Sequence, residues 1–156
     1  MHTVLDYANL MERALEFNAD YILMLEDDMK PSKNALQKAY TSIEQHLRHV
    51  PIHQVGLLSL LNDRKSLTKS RGIKKLSEGG GGACALLYPK AIVPTIIKVL
   101  RDDPYDNPVD LIINYLIRVK MNLQALERVP HLFQHISMKS TYNLTVSQLM
   151  YVYVPL

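Results

Sequence analysis

The stretch YILMLEDDMKPS (Tyr21–Ser32) decides the fold of this 156-residue chain. Its first five residues, Tyr21–Leu25, are almost continuously apolar, as in a strand that is buried on both faces of a sheet. Three consecutive carboxylates, Glu26, Asp27 and Asp28, follow directly. Neighbouring carboxylates repel one another unless a positive charge lies among them, so the triplet raises the question of which cation it faces.

Helical periodicity surrounds this strand. Apolar residues at helical spacing predict a helix over residues 3–17, and Pro31-Ser32 predicts the start of a second helix, with Ser32 as its N-cap. The expected buried stripe of the second helix consists of Leu36, Tyr40, Ile43 and Leu47. Further strands are predicted at 54–61, 83–88 and 129–137. This alternation of helices and short apolar strands predicts an α/β layer structure.

Two more helices are expected, at 91–101 and after Pro108. Asn107 suits the N-cap of the latter and Pro108 its first position. The expected buried face of that helix consists of Leu111, Ile112, Tyr115, Leu116 and Val119. The chain reads as one domain over 1–156, with a basic, glycine-rich flexible loop at 62–82 and a C-terminal tail at 142–156.

Composition excludes several function classes. The net charge is +3 and 21% of residues are charged, which does not favour nucleic acid as a partner. Cys84 is the single cysteine, which excludes an internal disulfide and a cysteine-based zinc site. The sequence has no signal peptide and no run of 18 apolar residues that would span a membrane.

Acids at the end of a buried strand suit Mg²⁺ or Mn²⁺, because ligands of open α/β sheets bind beyond the carboxyl ends of strands. The alternative is a solvated turn that precedes a helix. Asp110 is either a general base or an acid favoured by the helix dipole, with Asp102, Asp103 and Asp106 as rivals. His135 is either a second metal ligand or a structural histidine. The basic loop either attracts an anionic substrate or is a solvated face.

Four pieces of sequence, in order, resemble one group of glycosyltransferases. They are LDYANLMERALEFNADYILMLEDDM, GGGGACALLYPKAI, LRDDPYDNPVDLIINYLIRVK and HLFQHISMKST, and the match covers roughly residues 4–141. The group contains the Golgi N-acetylglucosaminyltransferase IV enzymes and the GPI-glycan N-acetylgalactosamine transferase (post-GPI-attachment factor 4). The chain resembles the GPI-modifying branch most.

The resemblance implies the C-terminal part of a GT-A (Rossmann-like) glycosyltransferase domain, α/β with a mixed sheet flanked by helices. It implies a UDP-sugar donor with Mn²⁺ (or Mg²⁺) as cofactor. Asp28 would contact the metal, Glu26 and Asp27 would hold the ribose or orient the site, and His135 would be the second metal ligand. Asp110 would be the general base of an inverting transfer.

The expected reaction is transfer of N-acetylgalactosamine from UDP-GalNAc to a GPI-anchor glycan in the Golgi. The alternatives are an N-glycan branching N-acetylglucosaminyltransferase and a non-catalytic remnant; a phosphatase-like Mg²⁺ pocket lacks a convincing Asp and Lys pair. Ser137 departs from the family's usual glycine, and tryptophan is absent. The strands that cradle the nucleotide would lie upstream of Met1, so an N-terminally truncated member is expected, with membrane association only through segments outside this chain.

Overall fold

The computed structural model describes residues 3–47, 49–61, 71–76, 82–102, 107–136 and 150–153. These residues form four α-helices and eight strands. The α-helices are α1 (Thr3–Ala14), α2 (Ala35–Leu47), α3 (Val93–Asp102) and α4 (Val109–Tyr115), which continues into a π-helical turn, Leu116–Lys120. The strands are β1 (Tyr21–Leu25), β2 (Met29–Pro31), β3 (Val55–Ser59), β4 (Gly72–Lys75), β5 (Ala85–Pro89), β6 (Gln124–Val129), β7 (Phe133–His135) and β8 (Met150–Tyr153). Short 3-10 turns lie at Ile52–Gln54 and Lys90–Ile92.

Six strands form a mixed sheet in the order β4-β6-β3-β5-β1-β8. β3 and β6 are parallel, and the other neighbouring pairs are antiparallel. Strands β1, β3 and β6 therefore run in the same direction and end at one edge, which we call the carboxyl edge. β2 and β7 form a separate two-stranded antiparallel ladder. The α/β fold class with a mixed sheet flanked by helices is confirmed, and it is consistent with a piece of a Rossmann-like glycosyltransferase domain.

Both faces of the main sheet are covered by helices. Along β1, Ile22 and Met24 pack with α1, α3 and α4 on the first face, whereas Leu23 and Leu25 pack with α2 on the second face. All four side chains are buried. The predicted burial of this strand on both faces is thus confirmed, and its alternation explains why the apolar run is continuous.

The stripes predicted for two helices are largely wrong. In α2 the residues that pack on the second face are Ala35, Ala39 and Ile43, while Leu36 and Tyr40 are 38% and 37% exposed. The small alanine side chains let the helix approach the sheet, which turns the larger residues outward. The side chain of Leu47 lies outside the described part of the chain.

In α4 and its π-helical turn, the buried side chains are Val109, Ile113, Leu116 and Ile117. Leu116 was predicted correctly, but Leu111, Tyr115 and Val119 are 52%, 54% and 61% exposed, and Ile112 is only partly buried. Close packing on β3 selects this face. A Cβ atom built on Gly56 would lie 2.3 Å from Ile117 Cγ2, so the turn rests directly on the strand backbone.

Two helix starts also differ from the prediction. Residues Met29–Pro31 form β2, and α2 begins only at Ala35, so Ser32 is not its N-cap. The Ser32 amide instead donates a hydrogen bond to the Leu132 carbonyl, at 2.8 Å. Helix α4 begins at Val109 rather than Pro108, which occupies the N-cap position.

The predicted flexible loop at 62–82 includes a strand that the sequence did not predict. β4 pairs antiparallel with β6 and forms the far edge of the sheet. Residues 62–70 and 77–81 of that segment lie outside the described part of the chain. In the tail at 142–156, β8 pairs with β1. The other residues of the tail also lie outside the described part of the chain. Across the described ranges, no helix is long and apolar enough to cross a membrane.

Candidate active site

The Glu-Asp-Asp triplet forms the turn between β1 and β2 at the carboxyl edge. The Glu26 amide donates to the Cys84 carbonyl at 3.0 Å, which extends the pairing of β1 with β5 by one residue. Glu26 and Asp28 are half-buried, whereas Asp27 is exposed. The buried strand therefore delivers the first and third acids to a partly enclosed position, as expected for a ligand site at this edge.

The separate ladder brings two distant parts of the sequence together. In its register Met29 lies opposite His135, and the Ile136 amide donates to the Asp28 carbonyl at 3.0 Å. The backbones of Asp28 and His135 are therefore adjacent. The Leu132 amide also donates to the Leu60 carbonyl at 2.9 Å, so the ladder is joined to the end of β3.

The side chains of Asp28 and His135 are of types that bind divalent metals. A carboxylate and an imidazole are both ligands of Mn²⁺, and water and phosphate oxygens commonly fill the remaining positions. The imidazole of His135 lies outside the described side chains. Among those that are described, no three His, Cys, Asp or Glu residues converge on one point. The roles predicted for Glu26, Asp27, Asp28 and His135 stay predictions.

Asp110 lies in the first turn of α4, half-buried. Its carbonyl accepts a hydrogen bond from Asn114 Nδ2 at 2.9 Å. The neighbours Val109 and Ile113 anchor this part of the helix in the first-face core. Of the rival acids, Asp102 pairs with Lys98 on α3, and Asp103 and Asp106 lie outside the described residues.

A buried pair of tyrosines packs in the first-face core. The hydroxyls of Tyr7, on α1, and Tyr88, on β5, are hydrogen-bonded at 3.1 Å, and both side chains are at most 1% exposed. Burial raises the pKa of Tyr7 well above its usual value, and the nearby charge of Glu26 adds to the rise. Burial likewise raises the pKa of Tyr88, and the charge of Asp110 adds to it. Both acids are thus close enough to act on this pair.

An exposed ion pair joins helix α1 to α3. Arg101 Nη2 donates to Glu12 Oε2 at 2.6 Å and to Asn9 Oδ1 at 3.1 Å, and its Nη1 donates to Glu12 Oε1 at 3.1 Å. The hydrogen bonds from Arg101 lower the pKa of Glu12. This two-pronged contact joins α1 to α3 at the surface, whereas the buried face of α1, which carries Tyr7, packs in the first-face core.

Sequence reasoning missed three features of this region. It did not predict the tyrosine pair, the β2–β7 ladder, or the buried polar residues Ser59 and Glu127. Of the buried polar residues, Ser59 carried a readable signal, because it interrupts an otherwise apolar strand near its end. Glu127 did not, because Gln124 and Arg128 lie in the same strand. The tyrosine pair and the β2–β7 ladder depend on contacts between residues far apart in sequence.

Comparison with known proteins gives one informative relative. The chain is 28% identical to the alpha-1,3-mannosyl-glycoprotein 4-beta-N-acetylglucosaminyltransferase C of Danio rerio, over 142 aligned residues. The alignment covers 88% of this chain and 26% of the relative, so the chain spans about a quarter of that protein's length. No family model matches the chain. The similarity supports a distant relationship to glycosyltransferases.

Proposed function

We propose that the chain carries the acceptor-activating and metal-binding part of a glycosyltransferase that uses a UDP-linked N-acetylhexosamine. The observation that carries this proposal is the adjacency of Asp28 and His135 through the β2–β7 ladder. These residues belong to two of the four pieces that resemble the glycosyltransferase group, and the adjacency of their backbones supports a shared site. The glycosyltransferase relative supports the reaction class.

The proposed reaction is an inverting transfer. Asp110 takes the proton from an acceptor hydroxyl, whose oxygen attacks the anomeric carbon of the donor sugar. The bond from that carbon to the diphosphate oxygen breaks, and UDP leaves on the opposite face. Glu26 and Asp27 hold the ribose or orient the turn. A Mn²⁺ or Mg²⁺ ion held by Asp28 and His135 would supply positive charge against the leaving diphosphate.

Calorimetry tests the metal assignment. UDP is titrated into the chain in the presence of Mn²⁺, and the titration is repeated with Asp28→Asn and His135→Ala. We expect both variants to lose Mn²⁺-dependent binding, because each removes one of two protein ligands. Glu16→Gln, on an exposed acid of the same charge, is the matched surface control and should bind as the wild type does. Unchanged binding in both site variants contradicts the assignment, and no heat from the wild type at millimolar UDP favours a non-catalytic remnant.

The donor and acceptor have two candidates. The resemblance to the GPI-modifying branch favours N-acetylgalactosamine on a GPI-anchor glycan. The name of the zebrafish relative marginally favours N-acetylglucosamine on a mannose of an N-glycan. Competition between UDP-GalNAc and UDP-GlcNAc for the Mn²⁺-dependent site decides between them. In either case we place the reaction in the Golgi lumen, where these glycans are modified.

A further inference from the structure

A cleft lies on the second face of the main sheet, beneath the C-terminal end of α2. It holds about 310 Å³ of empty space, counting the part that is open to solvent. Small-molecule sites in proteins begin at about this size and are lined mainly by apolar side chains. The buried walls of the cleft are apolar and come from α2 and three strands: Ile43, Val55, Leu58, Leu87 and Leu126.

The cleft is separate from the candidate active site. Two of its lining residues, Tyr21 and Val55, are the first residues of β1 and β3. A third, Pro89, is the last residue of β5, which runs antiparallel to both strands. The cleft therefore lies toward the end of the sheet that is opposite to the carboxyl edge, so a ligand there would not contact the acidic triplet.

One polar atom at the cleft has no partner. His46 lines the cleft together with Tyr21 and Ile73, and all three residues are half-buried. Within the described part of the chain, the Nε2 atom of His46 is buried and has no hydrogen-bond partner. A buried nitrogen without a partner is unfavourable, and native proteins usually satisfy such an atom with water or a ligand. The cleft thus combines apolar walls with one nitrogen that is available for a hydrogen bond.

The state of this imidazole selects the ligand chemistry. Burial and then the charge of His49 lower the pKa of His46, so its imidazole is neutral near neutral pH. A neutral imidazole has one donor and one acceptor nitrogen, and the tautomer decides which of them is Nε2. A hydroxyl both donates and accepts, so it suits either tautomer. A carboxylate only accepts and an ammonium only donates, and each would lose its hydration against the apolar walls.

We propose that this cleft binds a small neutral molecule made of one apolar ring and one hydroxyl group. The hydroxyl is hydrogen-bonded to His46 Nε2, and the ring packs against Ile43, Val55 and Leu87. An apolar cavity of about 150 Å³ is sufficient for a benzene ring, so the cleft has room for a ring of that size. The proposal is independent of the glycosyltransferase function, because it uses neither the metal site nor the donor sugar.

NMR titration tests the proposal with phenol and with toluene, which has a similar ring but no hydroxyl. We expect phenol to shift the signals of Ile43, Val55 and Leu87 and to move the ¹⁵N resonance of His46 Nε2, whereas toluene should leave that resonance in place. In His46→Leu the affinity for phenol should fall about fivefold, the loss of about one hydrogen bond, while the affinity for toluene stays within about twofold. His53→Leu, on an exposed histidine outside the cleft, is the matched control and should leave both affinities unchanged.

Several outcomes would overturn the proposal. They are the absence of shifts at the cleft with phenol, a His46 Nε2 resonance that does not respond to phenol, and an equal change in both affinities in His46→Leu. Ile73→Phe, which adds volume at the cleft, should abolish the binding of both ligands, and unchanged binding would place the ligand elsewhere. Should either variant fail to fold, the Nε2 resonance of the wild type still decides. Since no measurement uses Mn²⁺ or UDP, failure here leaves the proposed function intact, and failure of UDP binding leaves the cleft intact.

Discussion

Alkaline pH should destabilise this chain through Tyr7 and Tyr88. Burial raises the pKa of both hydroxyls above the value of about 10 for an unfolded chain. Below pH 10 the folded and unfolded states hold the same protons on these groups. Above it the unfolded tyrosines lose their protons while the folded ones keep them, so the free energy of unfolding falls as pH rises.

The size of the effect follows from the two protons. Each contributes about 1.4 kcal/mol per pH unit, so the pair contributes about 2.7 kcal/mol per unit above pH 10. The fall continues until the pH reaches the raised pKa values of the folded state. Tyr21, whose pKa burial raises to about 12, acts in the same direction between about pH 10 and 12, but it is only half-buried and contributes less.

Urea unfolding followed by circular dichroism, at several pH values on both sides of 10, measures this slope. The double variant Tyr7→Phe/Tyr88→Phe should flatten it by about 2.7 kcal/mol per unit, since it removes both protons. Tyr115→Phe, on an exposed tyrosine, is the matched control and should leave the slope unchanged. Equal slopes in the wild type and the double variant would refute the reasoning, as would phenolate absorbance from Tyr7 and Tyr88 near pH 10 in the folded chain.

Three further expectations concern stability near neutral pH. Tyr7→Phe alone should lower the free energy of unfolding by about 1–3 kcal/mol, because it leaves the buried Tyr88 hydroxyl without this partner. The double variant Tyr7→Phe/Tyr88→Phe should lower it by less than the two single variants together, and urea unfolding in a double-mutant cycle measures both effects. Gly56→Ala should destabilise by about 1–3 kcal/mol, since its Cβ atom would meet Ile117 Cγ2 at 2.3 Å, and an unchanged denaturation midpoint would contradict that contact. Ile113→Ala should lower the free energy of unfolding by about 2–5 kcal/mol, and Leu111→Ala by less than about 0.5 kcal/mol. A larger loss for Leu111→Ala than for Ile113→Ala would show that the helix buries the face expected from sequence.

The sequence was sufficient for β1 and for the α/β class, because the run Tyr21–Leu25 fits a strand buried on both faces and little else. It was not sufficient for the faces of α2 and α4. Helix α4 offers two apolar stripes, and the choice between Ile113 and Leu111 depends on how closely the helix lies on Gly56. In α2 the alanines face the sheet because close packing favours small side chains, a preference that hydrophobicity alone does not reveal.

For the candidate site, the position of the acidic triplet after a buried strand was predictable, and its neighbours were not. Nothing local in the sequence pairs Met29 with His135, since strand pairing between distant residues depends on the whole fold. The residues alone left His135 as either a metal ligand or a structural histidine, and the resemblance favoured the ligand; the ladder then placed its backbone beside that of Asp28. Ser59 could have been noticed as a polar residue in an apolar strand, but its proximity to Glu127 required the parallel register of β3 and β6.

The β2–β7 ladder has a consequence for how binding would be measured. It comprises only three residue pairs, although Phe133 and the neighbouring Leu132 pack in the second-face core. Its opening therefore exposes those two side chains but leaves the six-stranded sheet paired, and it costs less free energy than global unfolding. The backbones of Asp28 and His135 are adjacent only while the ladder is closed. The apparent affinity of this site therefore equals the intrinsic affinity multiplied by the fraction of molecules in which the ladder is closed. Substitutions in the ladder that touch no ligand would change the apparent affinity by changing that closed fraction.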